Sequence, residues 1–306
     1  MNKHTTKNLS IILEGLLSKY RERVPEYGLV MNALMNEGVI SSASEIENDH
    51  IAFRTLAVPH LGIASLEKIF LYYGYRKMDY YNFPEKKLNA YWYATPSEEF
   101  PRIFLSELRV NQLSEDSREI IHQYTDVVNA DPVDAFDPDD VATVTNYLHS
   151  SSWSLPSIGD YEALSAESEY AAWAIYNRYY LNHFTIAVHN FKDGYNTLAD
   201  FNLFLERHGI ILNDSGGKIK RSPDGYLLQS STVASMVNGV FAANRRKMIP
   251  GSYVEFAERR VLPEFARIPS DQISHIHRRE GFEAGNADKI FESTYMDQVG
   301  KGRNKS

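Results

Sequence analysis

The stretch Leu181-Asn182-His183-Phe184-Thr185-Ile186-Ala187-Val188 decides the fold. Its aromatic and β-branched residues favour a strand, and a histidine stands near its start. An earlier stretch, Asn48-Asp49-His50-Ile51-Ala52-Phe53-Arg54-Thr55, repeats the arrangement with His50 in the place of His183. In both places a helix-patterned segment follows, and then further strands. Repetition in the same context points to an internal duplication.

Working outward gives two units of the same order. In the first, residues 48–110, Ile63, Leu66, Ile69 and Phe70 share one helical face after the His50 strand. Residues 80–83 and 88–94 read as a hairpin about Pro84-Glu85-Lys86-Lys87, and residues 102–110 supply a last strand. In the second, residues 181–260, a helix over 197–208 carries Leu198, Phe201, Phe204 and Leu205 on its apolar face and ends at Gly209. Strands over 218–221 and 226–234 flank the turn sequence Ser222-Pro223-Asp224-Gly225, and residues 252–258 close the unit. Both units read β-α-β-β-β. An α+β fold is expected, with the two modules forming one curved sheet around a cleft and with added helices.

The flanks complete a single domain over residues 1–306. Apolar residues recur at helical spacing on either side of Pro25, so residues 1–45 are read as a cap of two helices. Residues 114–180 are a helical insert, with Ser114 and Asp139 as candidate N-caps. Asp131, Asp134, Asp137, Asp139 and Asp140 form an acidic patch without the glycine and spaced glutamate of a calcium loop, and it reads as a solvated helix start. The loop Asn213-Asp214-Ser215-Gly216-Gly217 lacks the Gly-Lys-Ser/Thr of a phosphate loop. Residues 261–306 are a tail whose basic end, from Lys301, is expected to be disordered.

Composition narrows the function classes. A net charge of −8 argues against nucleic-acid binding. The absence of cysteine excludes disulfides and thiolate metal sites. No stretch is apolar enough to suggest a membrane span or a secretory signal, so no membrane partner and a cytoplasmic location are expected.

Strand alternation selects the residues that carry chemistry. His50, Ala52 and Arg54 share a face, as do His183, Thr185, Ala187 and His189, and as do Tyr253, Glu255 and Ala257. If the inward faces meet, His50, His183 and Glu255 converge as two imidazoles and a carboxylate. That set suits a non-haem iron(II) oxygenase, because it leaves coordination positions open. Plainer readings stand beside it. A strand histidine can be a hydrogen-bonded core residue, and Glu255 can pair with Arg54 in a structural ion pair. Glu107, in the last strand of the first module, is an alternative ligand. With it the metal has four protein ligands and less room for oxygen and a chelating substrate. His60, His122, His149, His189 and His208 read as surface or supporting residues.

At these residues the sequence resembles the 2-oxoadipate dioxygenase/decarboxylase family. The segments that carry the resemblance are Asp49-His50-Ile51-Ala52-Phe53-Arg54-Thr55, Pro101-Arg102-Ile103-Phe104-Leu105-Ser106-Glu107-Leu108, Asn182-His183-Phe184-Thr185 and Gly251-Ser252-Tyr253-Val254-Glu255-Phe256, with the tail from His277 to Phe291. The resemblance implies a half-open barrel like that of the vicinal oxygen chelate enzymes. It implies Fe(II) on His50, His183 and Glu255, and Arg54 holding a substrate carboxylate. It implies 2-oxoadipate and O2 as the small-molecule partners, converted to 2-hydroxyglutarate and CO2. It also places substrate contacts at Gly285 and Asn286, the latter where a serine is expected in the family. Two other classes remain open at this point. One is a glyoxalase-like isomerase, lyase or hydrolase with a redox-inert metal, and the other is a metal-free binding protein. Oligomeric state is not legible.

Overall fold

The N-terminal helix α1, Lys3–Arg23, forms because Leu9, Ile12, Leu16 and Tyr20 recur every three or four residues, and all four are buried. Pro25, at the first position of α2 (Pro25–Asn36), lacks the N–H that would extend the preceding helix, and a new one starts there. The computed structural model describes residues 3–150 and 152–303. The chain continues through β1 (Asn48–Leu56), α3 (Ile63–Tyr72), β2 (Arg76–Phe83), β3 (Leu88–Ala94) and β4 (Arg102–Leu108). Four helices follow: α4 (Glu115–Thr125), α5 (Val141–His149), α6 (Ile158–Glu167) and α7 (Glu169–Asn177). Then come β5 (His183–Ala187), α8 (Leu198–Arg207), β6 (Lys220–Arg221), β7 (Leu227–Ser231), β8 (Met236–Val240), β9 (Arg246–Pro250) and β10 (Tyr253–Arg259). Helices α9 (Ala284–Ile290) and α10 (Met296–Arg303) end the described chain.

Among the described residues, eight strands hydrogen-bond in the order β2-β3-β4-β1-β5-β10-β7-β6, so the two histidine strands are neighbours. The chain divides into two units. The first holds Met1–Glu22, Ala52–Asn182 and Met236–Pro250, and the second holds Arg23–Ile51, His183–Ser235 and Gly251–Ser306. Strand β1 contributes to both.

In the first unit, β2, β3 and β4 pair antiparallel, with Leu88 opposite Leu108 and Trp92 opposite Phe104. Helix α3 buries Ile63, Leu66, Ile69 and Phe70, and the Phe70 ring lies 5.7 Å from Phe53 of β1. Glu107 of β4 accepts the Ile63 N–H at 3.0 Å and so caps α3. Gly62 is required at this junction. Its φ is +82°, and a Cβ there would lie 2.8 Å from Glu107 Oε2 and 2.9 Å from the Leu56 carbonyl.

In the second unit, β10 runs parallel to β5, with Tyr253 opposite His183 and Glu255 opposite Thr185. On its other edge β10 pairs antiparallel with β7, and β7 with β6. Helix α8 packs Phe201 on Phe256 at 5.2 Å, and α2 packs Tyr27 on Phe184 at 5.7 Å. Because side chains alternate, the helices cover the Phe184 and Phe256 face, and His183, Thr185 and Glu255 lie on the opposite one.

Several sequence expectations are corrected. Asp140, not Asp139, caps α5 by accepting the Thr143 N–H at 3.1 Å, while Asp139 accepts from the Tyr72 hydroxyl. The strand expected over 226–234 stops at Ser231, and the β8–β9 hairpin that follows forms its own two-stranded sheet. Its Asn, Gly, Arg and Lys residues lack the alternating apolar pattern that marks a strand. The tail holds α9 and α10, and helix α10 runs through Lys301 to Arg303, where disorder was expected; residues 304–306 lie outside the described residues.

Candidate metal centre

Three sequence-selected residues come together in the second unit. His50, His183 and Glu255 each offer a ligand atom, and these atoms lie within 4.8 Å of one another. His50 Nε2 is 3.3 Å from His183 Nε2 and 3.5 Å from Glu255 Oε1, and His183 Nε2 is 3.1 Å from Glu255 Oε2. Ligands about 2.1 Å from one ion stand roughly 3.0 Å apart at right angles and roughly 3.4 Å apart at tetrahedral angles. The triangle therefore fits a single ion held from one side. The donor chemistry, two imidazoles and one carboxylate, is that of a facial triad.

The local structure explains the convergence. Parallel register places Glu255 beside Thr185, one alternation from His183 on the same face. The Tyr253 ring lies 4.9 Å from the His183 ring, and Thr185 Oγ1 is 3.1 Å from His50 Nε2. His50 Nδ1 donates to Asp49 Oδ1 at 2.7 Å. Asp49 is a carboxylate, because Arg259 binds both its oxygens, at 2.6 Å through Nε and 3.0 Å through Nη2. This fixes the tautomer of His50 and leaves Nε2 as the ligating nitrogen. On the other side, Gln229 Nε2 donates to Glu255 Oε1 at 2.7 Å, and Asn286 Nδ2 donates to Gln229 Oε1 at 3.0 Å.

The electrostatics show a compensated pocket. Burial works against charging Glu255, yet the His50 and His183 charges and the hydrogen bonds from His50 and Gln229 outweigh it and hold the carboxyl below its ordinary pKa. Burial likewise works against charging His50, and the Glu255 charge with the Asp49 contact raises its pKa above the usual value. Lys220 is buried opposite Gln229, with Nζ donating to the Asn213 carbonyl at 2.7 Å. Burial pushes its pKa down to about 8, opposed by the charge of Glu255.

The remaining candidates fall elsewhere. Glu107 caps α3 and is not part of the triangle. Arg54 is buried, with its guanidinium 5.0 Å from the Tyr170 ring and 5.1 Å from the Trp173 ring. Asn286 is buried in α9, and Gly285 is exposed beside it. Arg259 and Gln229 carry no motif, and Asp49 stands in the segment that resembles the family without a role assigned to it. Only the adjacency of an aspartate to a candidate ligand could have drawn attention to Asp49, and neighbours on a strand ordinarily face opposite ways.

Comparisons with known proteins identify the family and the fold. The family model for 2-oxoadipate dioxygenase/decarboxylase matches residues 12–273. An Arabidopsis thaliana protein named 2-oxoadipate dioxygenase/decarboxylase, chloroplastic, is 46% identical over 83% of this chain and 69% of its own length. The crystal structure of hydroxyglutarate synthase from Oryza sativa, in complex with 2-oxoadipate, superposes with a TM-score of 0.88 at 38% identity, covering 98% of this chain and 96% of that one. A glyoxalase superfamily protein from Ralstonia eutropha shares the fold at 21% identity, with a TM-score of 0.69 over 90% of this chain and 85% of its own. The vicinal-oxygen-chelate-like fold class is thereby established. The plastid location of the Arabidopsis relative overturns the expectation of a cytoplasmic one. No helix among the described residues is long and apolar enough to cross a membrane. With the family model spanning most of its length and a relative at 46% identity, the chain belongs to the 2-oxoadipate dioxygenase/decarboxylase family.

Proposed function

We propose that this enzyme is a non-haem iron(II) dioxygenase that decarboxylates 2-oxoadipate, consuming one O2 and yielding 2-hydroxyglutarate and CO2. The observation that carries the reading is the buried His50–His183–Glu255 triangle in a chain of this family. Iron(II), when bound, supplies the Lewis acidity and redox chemistry that dioxygen activation requires.

The protein's own residues supply geometry, charge and exclusion of water. His50, His183 and Glu255 would hold the ion. Asp49 keeps the proton of His50 on Nδ1, so Nε2 stays available. The rings of Phe282 and Tyr253 beside His50 and His183 keep water from the histidines. Arg54, two alternations along β1 from His50, offers a planar fork suited to a substrate carboxylate. Gly285 and Asn286, at the start of α9, are the proposed contacts from the tail.

The test is oxygen uptake by iron(II)-loaded protein given 2-oxoadipate. The expected result is CO2 released in equal amount, with one atom of labelled O2 in the new hydroxyl and one in the new carboxylate, apart from exchange with water. If zinc or nickel supports an oxygen-independent conversion better than iron supports oxygen uptake, the isomerase class replaces this reading.

A further inference from the structure

We infer that residues 279–293 of the tail belong to the metal-holding apparatus, orienting His50 through Arg259 and Asp49, and Glu255 through Asn286 and Gln229. The inference rests on the reading of the triangle as a metal centre and adds how two of its three ligands are aimed.

The first relay starts at the tail backbone. Arg259 Nη1 donates to the carbonyls of Arg279, at 3.0 Å, and Gly281, at 2.8 Å. The rest of the same guanidinium grips Asp49, which in turn accepts from His50 Nδ1 at 2.7 Å. Arg259 and Asp49 are each 1% exposed, so neither has water as a substitute partner. Phe282 closes the relay, with its ring edge-to-face with His50 at 4.7 Å and 5.4 Å from the Arg259 guanidinium carbon. Moving the tail backbone would move the arginine, the aspartate and the plane of the imidazole together.

The second relay works through an amide. Gln229 can present either its oxygen or its NH2 group to Glu255, and the oxygen would repel the carboxylate. Asn286 Nδ2 donates to Gln229 Oε1 at 3.0 Å and thereby holds the NH2 group toward Glu255 Oε1 at 2.7 Å. The helix bearing Asn286 is anchored by Asn213 Nδ2, which donates to the Lys289 carbonyl at 2.9 Å, and by the short turn Phe291–Thr294 that follows it. Ser293 Oγ lies 2.8 Å from Ser231 Oγ and accepts from Asn213 Nδ2 at 2.9 Å, and the Ser293 carbonyl accepts the Ala234 N–H at 2.8 Å. Ser231 stands opposite Glu255 in the β7–β10 register. Both relays therefore run from one tail segment to one residue of the triangle each.

The experiment is titration of the metal-free full chain with cobalt(II), read by calorimetry and by the visible absorption of the bound ion. Asn286→Ala and Asp49→Asn are each expected to weaken cobalt binding by about 10- to 100-fold and to alter the absorption bands. Asn286→Ala is expected to add nothing on a Gln229→Met background, because both act through one amide. If Asp49→Asn does not fold, Asn286→Ala decides alone, since it leaves no buried charge unpaired. Cobalt affinity of Asn286→Ala within twofold of the parent, with an unchanged spectrum, would overturn the inference. A parent protein that fails to bind cobalt at all would overturn the metal-centre reading itself, and this one with it.

Discussion

The two β-α-β-β-β modules differ most where they look most alike, at the carboxylate of their last strand. By position in the sequence, Glu107 of β4 matches Glu255 of β10. The hydrogen bonds match it to a different residue. Glu107 accepts the Ile63 N–H at the start of α3, and Glu258 accepts the Leu198 N–H at the start of α8, at 2.8 Å. The equivalent pair is therefore Glu107 and Glu258, both aimed at a helix N-terminus, where a carboxylate is favoured by the unpaired N–H groups and the helix dipole. Counting back three residues in each strand sets Glu255 against Phe104. The structural carboxylate stands in both modules, and a carboxylate of the His50–His183–Glu255 triangle in only one. The histidines show the complementary asymmetry, because the residue four beyond His50 is Arg54 whereas the residue four beyond His183 is Ala187. The first module thus pairs His50 with Arg54 in sequence, and the second has His183 and Glu255.

The largest effect should separate Glu255 from Glu107. Glu255→Ala is expected to abolish metal retention and reduce turnover by about 10³-fold or more, as an activated metal centre is lost. Glu107→Gln is expected to keep its metal and appreciable turnover. Metal analysis beside oxygen uptake checks both, and loss of metal in Glu107→Gln would break the assignment of equivalent residues. Next comes Arg54→Lys, which keeps charge but loses the fork. An increase of about tenfold in KM for 2-oxoadipate is expected, with metal content unchanged; unfolding or metal loss would favour a structural role for Arg54 with Tyr170 and Trp173.

A smaller effect sharpens the comparison. Glu107→Gln and Glu258→Gln should each cost about 1 kcal/mol in urea unfolding, the size of a lost helix cap. A difference well beyond that would show that the two glutamates are not doing the same job.

The smallest effect belongs to His189, which follows β5 in the second module only. Burial first, and then the charge of Arg278, push its pKa down to about 4, and its Nδ1 accepts the Arg259 N–H at 3.2 Å. In the unfolded chain it titrates near about 6.5. Between those values the unfolded state takes up a proton that the folded state refuses. Its contribution is therefore fully present above about pH 6.5 and is lost as pH falls toward about 4. His189→Gln should flatten stability against pH in that window relative to the parent, measured on metal-free protein so that His50 titrates alike in both.

Legibility followed the range of the interaction. Aromatic and β-branched runs marked β1, β5 and β10, apolar spacing marked α1, α3 and α8, and Pro25 marked the break between α1 and α2, because each signal lies within a few residues. The histidine echo at His50 and His183 was legible for the same reason. Which glutamate joins them was not, since strand parity depends on register with β5 and β7. Gln229 was silent, as was the contact that Asn286 makes with it, because these contacts bridge 26 and 57 residues. The one-residue error at Asp139 and Asp140 is the ordinary uncertainty of a helix start.

The β8–β9 hairpin has a consequence for synthesis. It belongs to the first unit, yet the chain makes it in the middle of the second, and the segment Arg23–Ile51 of the second unit waits for everything from Gly251 onward. About 200 residues separate those two pieces. At typical translation speeds that is a wait of roughly 10–40 s with β1 made and β10, the strand on the far side of β5, still absent. The first unit is complete only once Pro250 is made, and the second only later still, so until then the nascent chain has no finished unit to fold on its own.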